Sequence, residues 1–116
     1  MKRATDHLNV CTLLDFYGSL LNNRQREIMR LFYYEDLSLA EISGIKGITR
    51  QAVNAQVHRA ADKLREFERG LKLVRAYERT KELQARLGAA VASKSWAEAE
   101  SVLIEWKKFE EPKDNN

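Results

Sequence analysis

A chain of 116 residues with 44% hydrophobic and 32% charged side chains has the make-up of one folded domain, and too much apolar content for a disordered one. One proline and five glycines leave few points where the backbone must turn, and the single Cys11 excludes an internal disulfide. The formal charge of +3 is uneven, since residues 24–81 hold thirteen Lys/Arg against eight Asp/Glu while residues 82–116 hold five against seven. A basic middle suits phosphate attraction, although an excess of this size is a weak footprint.

Apolar residues recur at three and four nearly throughout, so the predicted fold class is all-α, with five or six helices. The first is expected from Asp6, its N-cap, to Leu21, burying Leu8, Val10, Leu13, Leu14, Tyr17, Leu20 and Leu21. Asn22 and Asn23 interrupt that pattern and cap a second helix from Arg24 to about Tyr34, with Ile28, Leu31 and Phe32 inward.

Residues 38–64 read as two helices around a glycine-bearing turn, the layout of a helix-turn-helix. Ser38 and Glu41 make a capping box for the first, and Thr49 caps the second, which runs without Gly or Pro to Leu64. Leu39 and Ile42 on one side, and Val53, Val57, Ala60, Ala61 and Leu64 on the other, give each helix an apolar face. The polar side of the second helix carries Arg50, Gln51, Asn54, Gln56, His58 and Arg59, types that hydrogen-bond base edges or phosphates. An ordinary solvated helix has the same appearance, so periodicity alone leaves both readings open.

The second motif helix is expected to continue or bend through Phe67 toward Gly70, dividing a helix-turn-helix domain, 1–70, from a C-terminal helical arm and polar tail, 71–116. In the arm, a helix from Leu71 to Leu87 is predicted to stop at Gly88. After a small-residue stretch, Ala89 to Ser93, Ser95 with Glu98 forms a further capping box. It opens a last helix with Trp96, Ala99, Leu103 and Trp106 on one stripe, flanked by Val102 and Phe109. Two tryptophans on one stripe call for a cover, and a homodimer made through the arm is the expected one. Residues Glu110 to Asn116, with Pro112, read as a polar, frayed tail.

Several other readings carry less. His7, Cys11 and His58 lack metal-ligand spacing, so no metal and no other cofactor is assigned. Glu27, Glu35, Asp36 and Glu41 come with no nucleophile-base pair or phosphate loop, so no enzyme is expected. Phe16, Tyr17, Phe32, Tyr33 and Tyr34 have the chemistry to stack bases, but helical spacing beside leucines makes them core residues. With no leader or long apolar run in the sequence, membrane insertion is not expected and a reducing cytoplasm is the predicted home.

The run Leu13-Leu14-Asp15-Phe16-Tyr17-Gly18-Ser19-Leu20-Leu21, then Gln25, then Leu31 to Ile42 with its Tyr-Tyr-Glu-Asp-Leu-Ser-Leu, then Thr49-Arg50-Gln51-Ala52-Val53, resembles the YlxM family of small bacterial proteins. The resemblance covers residues 8 to 80. It implies a helix-turn-helix similar to region 4 of sigma factors and, because such proteins are typically encoded beside the signal recognition particle GTPase and its receptor, a role in or regulation of that protein-targeting pathway. On that pattern Arg50, Gln51 and Asn54 fall at nucleic-acid contact positions, while Val53, Ala60 and Leu64 fall on core ones. Two departures stand out: Ala55 sits where a polar contact residue is common, and Gly44-Ile45-Lys46 precede Gly47 where a leucine is usual, so Ile45 is expected to stand in for it. Three function classes follow: a DNA-binding regulator, an accessory protein touching signal recognition particle RNA or its GTPase, and a protein-interaction module without DNA contacts.

Overall fold

The computed structural model describes residues 4–111, all of whose regular elements are helical. α1 spans Ala4–Tyr17, α2 Asn23–Met29, α3 Leu39–Lys46, α4 Arg50–Leu71, α5 Leu73–Ala92 and α6 Trp96–Glu110. The expected tail from Pro112 onward lies outside the described residues, as do the side chains of His7 and Leu8.

Helix starts follow local chemistry. Asn22 accepts from the Gln25 N–H while Gln25 reaches back to the Asn22 N–H, Ser38 and Glu41 do the same for α3, and Thr49 accepts from the Ala52 N–H. Each satisfies donors that a helix start leaves without an intrahelical acceptor. The expected box at Ser95 does not form: with ψ at 84° rather than near 160°, Ser95 makes no side-chain cap.

Other boundaries also move. α1 begins at Ala4, ahead of Asp6, and gives way at Tyr17 to a 3-10 turn over Gly18–Leu20. That change of pitch rotates Leu20 outward, to 53% exposure, while Leu21 is buried. α2 widens into a π-turn over Arg30–Tyr34, closed by Glu35 N–H donating to Arg30 C=O at 3.1 Å. α4 continues through Phe67 to Leu71, beside the expected end at Gly70, whereas α5 passes through Gly88 to Ala92. A glycine in a helix costs only about 1 kcal/mol relative to alanine, and the alanine-rich turn after Gly88, with its strong helix formers and the buried Ala90, offsets it. The stop comes instead at Lys94, left-handed with φ 58°, where Lys94 N–H donates to Val91 C=O and Ser95 N–H to Ala90 C=O.

The chain divides into two compact units, one reaching to Val74 and one starting at Arg75. In the first, Val10, Leu14, Tyr17, Leu21, Ile28, Met29, Leu31, Ile42, Val53, Val57, Ala60, Ala61 and Leu64 make one buried cluster around which α1 to α4 are wrapped. Of the aromatics read as core, Tyr17 is fully buried, and Phe16, Phe32 and Tyr33 pack against the cluster. Tyr34 is instead 47% exposed, its hydroxyl turned to Asp15 and to the Cys11 carbonyl.

The last turn of α4 closes over the same cluster through a polar knot. The Tyr17 hydroxyl donates to Glu68 Oε1 at 2.5 Å and accepts from the Leu73 N–H at 2.9 Å, and Glu68 Oε1 also accepts from the Val74 N–H at 3.0 Å. Between them Lys72 takes the left-handed conformation, φ 56°, that ends α4. A carboxylate and a phenol borrowed from elsewhere thus cap the start of α5.

In the second unit α5 and α6 run antiparallel, with Arg79 paired to Glu82 and Glu105, and Arg86 paired to Glu98 and Glu105. Leu83, Ala90, Ala99 and Val102 are its buried residues. The expected stripe is therefore split: Ala99 and Val102 face inward with Trp106 and Phe109 half-buried, whereas Trp96 and Leu103 are 64% and 53% exposed. A straight 3.6-residue helix carries positions 96 and 103 off the line of 99, 102 and 106.

Gly44 offers a test of α3. It lies inside the helix with open space where a Cβ would stand, so Gly44→Ala is expected to raise stability by about 0.5–1 kcal/mol in urea unfolding. Gly47, left-handed at φ 66°, should respond with the opposite sign to the same change. Equal shifts at both positions would count against this turn geometry.

Candidate nucleic-acid interface

The motif is held by its turn as much as by its core. Gly47 N–H and Ile48 N–H both donate to Ser43 C=O, and the Ser43 hydroxyl donates to the Ile48 carbonyl at 2.5 Å, so one serine fastens the two residues between α3 and Thr49. The left-handed Gly47 lets the chain reverse at no steric cost. Ile48, after the turn, packs on the core, and Ile45, expected there in place of a leucine, is instead 61% exposed. α3 needs only Leu39 and Ile42 to seat itself on α4, and the first hydrophobic residue past the reversal fills the remaining gap. A salt bridge of 2.6 Å from Lys46 to Glu27 ties the end of α3 to α2 and holds the Glu27 carboxyl below its ordinary range.

With Val53, Val57, Ala60, Ala61 and Leu64 buried, α4 presents Arg50, Gln51, Asn54, His58 and Arg59, all exposed. The first three share a shallow open concavity of about 570 Å³ with Ser38, Leu39 and Ala40 at the start of α3. Asn54 and His58 are one turn apart on the same flank of the helix. Arg59 lies elsewhere, because nine residues after Arg50 is about two and a half turns and brings it to the opposite side. The sequence therefore suggested five contact residues of one kind, and the fold groups only Arg50, Gln51 and Asn54. It adds a wall that residue types did not reveal, whose one signal was the Ser38–Glu41 box.

Charge in this region is unequally committed. Arg30 is held by Glu35, Lys46 by Glu27 and Arg65 by Asp62, whereas Arg50 and Arg59 make no ion pair among the described residues. A guanidinium with no carboxylate beside it, next to the positive end of α3, can receive an anion such as a phosphate. The outward line of α4 is not uniformly basic: Asp62 and Glu66 are exposed on it beyond Ala55.

Comparison with known proteins agrees with the helix-turn-helix reading of this segment. The model of the YlxM / p13-like helix-turn-helix family matches residues 4–102. The chain belongs to that family. A family protein of Shouchella clausii is 41% identical over 93 residues, 80% of this chain and 85% of its own. Another, of Symbiobacterium thermophilum, is 41% identical over 86 residues, 74% and 80% of the two chains, and one of Geobacillus kaustophilus is 39% identical over 88 residues, 76% and 80%. The match spans α1 to α5 and reaches into α6. Among the described residues, no helix is long and apolar enough to cross a membrane.

Proposed function

We propose that the protein is a DNA-binding regulator that lays the start of α4 in the major groove, with Arg50, Gln51 and Asn54 reaching base edges or phosphates and His58 and Arg59 flanking them. The observation that carries this reading is the concavity in which those three side chains meet the start of α3, beside an arginine with no carboxylate partner. A groove about 12 Å wide admits one helix, and the first turns of the second motif helix are the part that enters it. The likeness of the motif to region 4 of sigma factors supports the same use. On the family resemblance, the regulated process is the signal recognition particle pathway in the cytoplasm; on the exposed Trp96 and Leu103 of the arm, the acting species is a homodimer made through it.

A second reading has its own support in Ala55, Asp62 and Glu66. Their outward line weakens phosphate attraction along α4 and favours a protein-interaction module without DNA contacts, for which the family resemblance offers the signal recognition particle GTPase as the partner.

Titrating a pool of random-sequence duplexes at rising salt tests the first reading. The affinity should fall linearly on a log-log scale as counterions are displaced. Arg50→Ala should weaken binding about tenfold while the helical circular dichroism stays unchanged. Duplex binding that is absent at low salt, or indifferent to Arg50, would reject the DNA reading, and retention on immobilised signal recognition particle GTPase under the same conditions would favour the second.

A further inference from the structure

The hairpin of α5 and α6 covers little of its own apolar surface. Trp96, Leu103 and Ile104 on α6 are 64%, 53% and 50% exposed, and Val91 on α5 is 49% exposed. On α6 the order Trp96, Glu100, Leu103, Lys107 advances by four, three and four residues, the spacing that keeps side chains on one line facing a neighbouring helix. This line is rotated away from the inward residues Ala99, Val102 and Trp106. Its two charged members differ from the others nearby. Glu98 and Glu105 are engaged by Arg79 and Arg86, whereas Glu100 and Lys107 are exposed and in no ion pair among the described residues.

We propose that this line is the docking surface for a second copy of the chain, the two α6 helices crossing antiparallel about a two-fold axis at Leu103. The proposal rests on the homodimer part of the proposed function and supplies its chemistry. Reversal about residue 103 brings Lys107 of one copy level with residue 99 of the other. At ~1.5 Å per residue it then stands about 1.5 Å along the axis from Glu100 and about 4.5 Å from Trp96. Each lysine thus meets a carboxylate and an indole face, Leu103 meets its own copy at the axis, and the pattern is satisfied twice by symmetry. Self-complementarity of this kind singles out the same chain as the occupant: an anionic lipid surface would be repelled by Glu100, and an unrelated helix has no reason to repeat the order Trp, Glu, Leu, Lys in reverse.

Sedimentation equilibrium of the full chain at micromolar concentration, for the parent, Glu100→Lys, Lys107→Glu and the double exchange, decides the matter. The parent is expected at twice the 13.4 kDa chain mass. Each single reversal sets like charges against each other at both symmetric pairs and should raise the dimer Kd about tenfold, and the double exchange should return it to near the parent value. Since all these side chains are exposed, unchanged helical circular dichroism will certify that the variants fold. A parent at single-chain mass overturns both the homodimer and this surface. A dimer indifferent to the single reversals, or one the double exchange does not restore, overturns this surface and leaves the homodimer standing. Neither result bears on DNA binding, which the duplex titration reads separately.

Discussion

Val53→Asp is expected to cost about 3–5 kcal/mol. Val53 is fully buried among Ile42, Val57 and the rest of the α1–α4 cluster, about one turn from the exposed Arg50 and next to the exposed Asn54. Among the described residues no charged side chain is buried in that cluster, and the Tyr17 hydroxyl is already engaged by Glu68 and the Leu73 N–H, so nothing there receives a carboxylate. The group must either stay ionised without a partner or take up a proton, and both routes are expensive in an apolar interior. Domain stabilities are about 5–15 kcal/mol, so this is a large fraction of the whole. Urea unfolding followed by circular dichroism measures it. A variant within about 1 kcal/mol of the parent would mean that α4 does not seat this face on α3. Val53→Ala, which only removes methyl groups, should cost less and serves as the control for side-chain loss without charge.

The motif was legible because several local signals agreed. Ser38 with Glu41, Thr49, Gly47 and the three-four spacing from Val53 to Leu64 each mark one feature of the same element, and each has a short-range physical cause that needs no knowledge of the rest of the chain. Where only one weak signal existed, the expectation failed. Gly88 looked like a helix stop, but its cost is small and Ala89 to Ala92 carry α5 past it, with Lys94 taking the left-handed position instead. Trp96 and Leu103 fit a seven-residue stripe as well as Trp106 and Ala99 do, and only the position of α5 decides which of them turn inward. At the candidate interface the residue types were readable and their grouping was not. Arg50 and Arg59 are equivalent as letters, but the phase of α4 against its core separates them by half a turn, and the wall supplied by Leu39 and Ala40 appears only when α3 is folded against it. The knot of Tyr17, Glu68, Leu73 and Val74 left no local trace at all, since its hydrogen bonds span up to 56 residues.

That knot makes Tyr17→Phe informative beyond its size. The substitution keeps the buried ring, which lies 6.0 Å from that of Phe67, and removes only the hydroxyl. The Leu73 N–H then loses its acceptor and Glu68 loses one of its donors, for an expected destabilisation of about 2–3 kcal/mol at neutral pH. The pH dependence identifies the cause. Burial first, and then the hydrogen bond to the Glu68 carboxylate, push the Tyr17 phenol above its ordinary value of 10.0. In the unfolded chain the phenol ionises near pH 10 while the folded chain still holds its proton, so the folded state binds more protons and stability falls as pH rises. The contribution of the hydroxyl is complete below pH 10 and is lost as pH rises above it. Tyr34, pushed up by its own desolvation and by Asp15, adds a second alkaline loss that the substitution leaves in place. The stability gap between parent and Tyr17→Phe should accordingly be constant from pH 6 to 9 and shrink above pH 10, while both proteins keep some alkaline slope. Urea titrations at pH 7 and in the alkaline range give both quantities. A gap that does not change with pH would mean that the Tyr17 hydroxyl is not held by Glu68 and the start of α5, and that the left-handed turn at Lys72 has another support.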